Sequence, residues 1–347
     1  MSQSKCLSLA RSFDLCRGAL LWISACGLLL ALLLCTPAKA LELPPVKGPP
    51  PHQVYIDVFV IDVDSIDSAE QNFTANIFYR LRWNDPGLAH SGDAPVVRPL
   101  DKVWNPGLQI INEQFLRRTF ADVVKIHPDG TVVHRQRVWG TFSQPIDLRE
   151  FPFDVQSFKV HFVASDFLEG ELDLVQDPEI QSGIASKLSM ADWKITAMKT
   201  GTMNYEPVPG EPSQPGFHLT FDAKRYTGYY ISKIILPLVL IVAMSWIVFW
   251  IDPSEAGTQV SVAITTMLTL IAYRFAIGTD IPKVSYLTRL DDFILISTLL
   301  VFATLIEVVI TATMAKRGHI KRARSVDLWA RWLVPLGFGS VTVASFL

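Results

Sequence analysis

The sequence predicts an exported all-β sandwich followed by a four-helix membrane domain. Three observations carry that prediction: a cationic-then-apolar leader, a first half built of short alternating strands, and a second half with four apolar stretches of bilayer length. Half of the 347 residues are hydrophobic, high for a soluble chain, so membrane segments are expected. Lysine and arginine total 31 against 33 acids, a formal charge of -2 that says nothing for nucleic acid, and no nucleic-acid partner is expected.

Lys5, Arg11 and Arg17 precede an apolar run from Ala19 to Cys35, and Thr36-Pro37-Ala38-Lys39-Ala40 follows with the small-x-small spacing of a cleavage site. Residues 1–40 read as a removed signal peptide. An uncleaved anchor is the other reading, because the run approaches the roughly 17 residues a span needs. All four cysteines, Cys6, Cys16, Cys26 and Cys35, lie in this leader. The mature chain would then have none, which excludes disulfides, thiol catalysis and cysteine metal sites, and fits a bacterial envelope protein. No nucleophile, metal cluster or phosphate-binding glycine loop stands out, so neither enzymatic activity nor a cofactor is expected.

Residues 41–225 read as the sandwich. The strands are QVYIDVFVIDVD (Gln53–Asp64), FTANIFYRLRW (Phe73–Trp83), TVVHRQRVWGTF (Thr131–Phe142) and FDVQSFKVHFVA (Phe153–Ala164), alternating, β-branched or aromatic, and separated by Pro, Gly and Asp turns. EPVPGEPSQPGF (Glu206–Phe217) reads as a long loop between two later strands. PIDLREFPFDVQSF (Pro145–Phe158) is the most pointed segment: Pro152 fixes its own φ and restricts Phe151, so Phe151 and Phe153 are held on a loop tip. Two phenylalanines there are an aggregation hazard unless they dock on another surface, or turn into the sandwich core.

Residues 226–347 read as the membrane domain, with spans at Tyr229–Ile251, Val260–Ile277, Phe293–Ala315 and Leu328–Leu347. The linker 316–325 carries Lys316, Arg317, Lys321, Arg322 and Arg324. The positive-inside rule makes it cytoplasmic and puts the sandwich outside. The second span differs in kind. Ser261, Thr265, Leu268, Ala272 and Phe275, continuing to Thr279, fall at helical spacing on one face that grades from hydroxyl to apolar. Such hydroxyls can simply bond their own backbone or a neighbouring helix. They can also line water, with Leu268 as a constriction that closes by dewetting; that reading requires an oligomer.

IDLREFPFDVQ, ILPLVLIVAMSWIVFW with Pro237, ITTMLTLIAYRF and IPKVSYLTR, in this order, resemble the Cys-loop receptor superfamily of pentameric ligand-gated ion channels, and the short linker resembles its prokaryotic branch. The positions of the loop cysteines of animal members look like Pro145 and Phe158 here. The resemblance implies a homopentamer in the bilayer of a bacterial inner membrane, its sandwich in the periplasm, gating monovalent ions in response to a small-molecule or proton agonist. It implies that Phe151, Pro152, Phe153 and Asp154 meet the outer ends of the membrane helices next to Pro282 and Lys283. It also implies that Arg225 is surrounded by acids, Asp154 and Asp67, in a role either structural or gating.

For the agonist, the resemblance implies an aromatic box at subunit boundaries. Phe78 would come from one subunit, with Tyr205 and Phe217 flanking the capping loop of the next; two further box positions look like Ile111 and Ser165, so the box is incomplete. Selectivity signals conflict. IDPSEAGTQVS has the length of anion-selective relatives but lacks their Pro-Ala-Arg, and Glu255 is the nearest acid to the inner mouth. A ring of Glu255 carboxylates would concentrate cations, which is the expectation here; Glu255 paired with Arg317 would not. A non-conducting receptor or binding module with the same sandwich is the competing class.

Overall fold

The structure is a computed structural model that describes residues 50–279 and 281–346. The expected signal peptide and its four cysteines lie outside the described residues. The first sheet joins β1 (His52–Asp67), β2 (Asn72–Asn84), β3 (Val96–Pro99), β5 (Glu113–Arg118), β6 (Val123–Ile126), β7 (Thr131–Ser143), β9 (Leu172–Gln176) and β10 (Gly183–Ile184). The second runs in the order β11 (Trp193–Tyr205), β12 (Gln214–Arg225), β8 (Val155–Ala164) and β4 (Leu108–Ile110). Strand β2 alternates buried and half-buried positions along nearly its whole length and pairs antiparallel with both β1 and β7, as its sequence alternation requires.

The sheets meet across an aromatic core. Phe73 of the first lies 5.3 Å from Phe158 and 5.6 Å from Phe221 of the second, edge to face in each case, and Phe142 packs beside it. Each ring buried this way stabilises the fold by about 1.5–3 kcal/mol, and edge-to-face geometry adds to the area term.

Four helices follow: α1 (Gly228–Trp250), α2 (Ala256–Ile277), α3 (Arg289–Lys316) and α4 (Ile320–Phe346). The first three are long and apolar enough to cross a membrane; α4, expected as a fourth span, is a helix of spanning length that does not meet that hydropathy level. The basic linker is also tighter than expected. Only residues 317–319 separate α3 from α4, turned by Gly318 at φ 80°, where a side chain would be strained.

In α1, Pro237 has no N–H to return to the preceding turn, and that turn widens to π-helix over Ile231–Ile235. The hydroxyl of Tyr273 in α2 donates to the Ile234 carbonyl at 2.6 Å and lies 3.3 Å from that of Lys233, so the irregular turn is served from the neighbouring helix.

Candidate functional site

The loop after β7 is where the sandwich meets the helices. Phe151 is fully buried, its ring edge-on to Tyr230 of α1 at 4.8 Å, and Phe153 packs 5.4 Å from Phe346 at the end of α4. The Phe151-Pro152 peptide is cis. Both rings find their docking surface on the helices. Asp154, directly after, takes Arg225 in a two-pronged pair, Nε to Oδ1 at 2.8 Å and Nη2 to Oδ2 at 3.1 Å, with both side chains almost fully buried. The guanidinium also lies over Trp193 at 4.0 Å and Phe151 at 4.9 Å.

Asp67 is not the second partner of Arg225. Its Oδ1 accepts from the Ala69 and Glu70 amides and closes its own turn, while Ser68 Oγ stands 3.1 Å from Arg225 Nη2. A hydroxyl thus takes the place expected of a second acid, and the buried centre is a one-to-one ion pair.

Pro282 and Lys283 are likewise not the residues that touch the loop by hydrogen bonds. Tyr286 does so, accepting the Leu148 amide at 2.9 Å, and Arg149 lies over its ring. Helix α3 opens with Thr288 and Asp291 capping each other, and its Arg289 and Leu290 amides donate to the Arg149 and Phe151 carbonyls at 2.9 and 3.3 Å. Unpaired amides at a helix start need acceptors, and here the loop supplies them. The Thr-x-x-Asp spacing of a capping box was the signal in the sequence that α3 begins at 289 instead of 293.

On α2 the stripe separates cleanly. Ser261, Thr265, Leu268, Ala272 and Phe275 are all exposed, Phe275 at 82%, while Gln259, Ala263, Thr266, Leu270 and Ile277 are buried against the other helices. Two of the polar residues therefore face inward: Thr266, and Gln259, whose amide reaches the Ile251 carbonyl and Asp327 of α4. Thr265 and Thr269 each donate to the carbonyl four residues back at 2.8 Å. Such a hydroxyl has spent its proton on the helix and presents oxygen lone pairs outward. Glu255 is exposed at the start of α2 and makes no ion pair among the described residues; the nearby pair is Arg324 with Asp252 at 2.7 Å.

The three box aromatics are distributed over both sheets. Phe78 is half-buried on β2, 6.4 Å from Phe120 and opposite Arg137, whose Nε donates to Asn76. Tyr205 is half-buried at the end of β11. Phe217 corrects the expectation. It lies within β12, not in a loop, and alternation turns it fully into the core, so its ring is unavailable at a subunit boundary. The Pro/Gly loop is shorter than its composition suggests because β12 already begins at Gln214.

On the same face of β2 as Phe78, Arg80 and Arg82 both reach Asp177, at 2.8 and 2.9 Å, and Arg80 also takes Asp57. Burial alone would raise the Asp177 carboxyl. Hydrogen bonds from Arg82 and the Glu179 amide, with the charges of Arg82 and Arg80, hold it below the usual carboxylate range.

Two family models match the chain. Residues 36–225 match the neurotransmitter-gated ion-channel ligand binding domain, and residues 234–334 match the neurotransmitter-gated ion-channel transmembrane region.

Proposed function

This chain belongs to the neurotransmitter-gated ion channels of the Cys-loop superfamily, and we propose that it assembles as a homopentamer whose α2 helices line a cation-selective pore. The observation that carries this reading is the exposed face of α2, hydroxyl-bearing at Ser261 and Thr265 and apolar at Leu268, Ala272 and Phe275. In a ring of copies the hydroxyl end holds water while the Leu268 layer excludes it until the helices tilt or rotate apart. Oxygen lone pairs directed at the lumen and the exposed Glu255 carboxylate at the inner mouth both favour cations over anions.

Helix α4 serves as the fourth span in this proposal. Its 27 residues rise about 40 Å, more than a hydrocarbon core of about 30 Å, and its two ends touch Asp252 on the basic side and Phe153 on the sandwich side. The leader is removed, and the sandwich stands in the periplasm of a bacterial inner membrane.

Agonist enters between Tyr205 of one subunit and Phe78 of the next. With Phe217 in the core and Arg137 opposite Phe78, that cleft is better suited to a small molecule bearing an acidic group than to a quaternary ammonium. Binding shifts the closed–open equilibrium by its differential affinity for the two states. The loop carrying Phe151 and Phe153, held to β12 through Asp154 and Arg225 and to α3 through its first amides, passes the movement on. Purified protein in planar bilayers, screened with small acids, amines and pH steps, tests the proposal: agonist-evoked unitary currents are expected, and their absence under all three would contradict it.

A further inference from the structure

The outer face of the second sheet carries a cluster that the channel reading does not use. His161 of β8 stands directly opposite His218 of β12, and the next strand outward, β11, contributes Met203. Met203 Sδ lies 3.2 Å from His161 Nδ1. Two glycines make this possible. A Cβ on Gly201 would meet His218 Cε1 at 3.0 Å, and one on Gly216 would meet Met203 Cγ at 2.9 Å, so the imidazole and the thioether both settle onto bare backbone. All three side chains are half-buried, within reach of solvent.

We propose that His161, His218 and Met203 form a binding site for a monovalent copper ion, stapling β8 to β11 across β12. Two imidazoles with a thioether are a soft donor set, and thioether sulfur selects copper(I) over harder cations. A tetrahedral centre with bonds of about 2.0 Å to nitrogen and about 2.3 Å to sulfur separates those atoms by roughly 3.5 Å, which Met203 reaches by a small rotation about its flexible side chain.

Charge argues in the same direction. Lys159 lies two residues from His161 on the same face, and its ammonium repels a divalent ion about twice as strongly as a monovalent one.

The site is independent of conduction and is tested without it. Detergent-solubilised mature protein, without the leader and its four cysteines, would compete for copper(I), kept reduced by ascorbate, against bathocuproine disulfonate. The wild type is expected to withdraw one equivalent per chain more than His161→Gln, and Met203→Leu to bind at least about tenfold more weakly, since even outer-sphere partners of a metal are worth about 10–100-fold. X-ray absorption of the copper-loaded wild type should show one sulfur and two nitrogen scatterers. Equal copper uptake by wild type and both variants would overturn the proposal. So would a spectrum without sulfur, or a zinc(II) affinity exceeding that for copper(I) and unchanged in Met203→Leu.

Discussion

At the scale of single residues, the Arg225–Asp154 pair governs the junction because both charges are buried and each is the other's compensation. Removing one leaves a desolvated charge, at a cost of about 3–5 kcal/mol. Arg225→Gln is therefore expected to lower the detergent-solubilised protein's melting temperature and to abolish agonist response, while Asp67→Asn, whose carboxylate only closes its own turn, changes both far less. Equal effects of the two would reject the one-to-one pair. Phe217→Ala should likewise cost about 3–5 kcal/mol as a core cavity, appearing as lost stability ahead of any change in agonist potency. Asp177 gives a pH dependence. Its folded pKa is depressed, so its contribution is present above the unfolded value of about 3.9 and is lost as pH falls through the lower folded value. Acid unfolding of Asp177→Asn should show a shallower limb below about pH 4 than wild type.

At the scale of elements, α1 and α2 are joined where α1 is least regular. Tyr273→Phe deprives the π-turn before Pro237 of its donor, at a cost of about 1 kcal/mol, and should lower the detergent-solubilised protein's melting temperature without moving the stripe. Strands whose alternation is long, such as β2 and β7, were legible because one face is core and the other is not. The short β3 and β5 were not, since residues such as Val96, Val97 and Phe115 are exposed and obey no alternation, and β6 alternates over four residues alone. Phe217 was misplaced by the proline and glycine beside it, which read as loop but sit inside β12, where Gly216 clears room for Met203. The apolar cores of the spans were plain in composition. Partners fixed by backbone amides, as at Arg289 and Leu290, leave no trace in side-chain identity, and only the capping box hinted at them.

At the scale of the whole molecule, the proposed function rests on the exposed α2 face meeting its own copies around water. Glu255→Gln should move the reversal potential in a NaCl gradient toward zero from a cation-selective value, provided the carboxylates stand within a Debye length of about 8 Å of the lumen axis. Leu268→Ser should wet the constriction and give agonist-independent current or a left-shifted response; wild-type behaviour in both respects would remove Leu268 as the gate. The most direct measurement uses the absence of cysteine from residues 41–347. With the leader cysteines removed, Thr265→Cys and Thr266→Cys would be exposed to a charged methanethiosulfonate reagent during agonist-evoked current. The pore assignment predicts irreversible block of Thr265→Cys, whose side chain is exposed, and little effect on Thr266→Cys, which is fully buried. Block of Thr266→Cys with Thr265→Cys unaffected would contradict it.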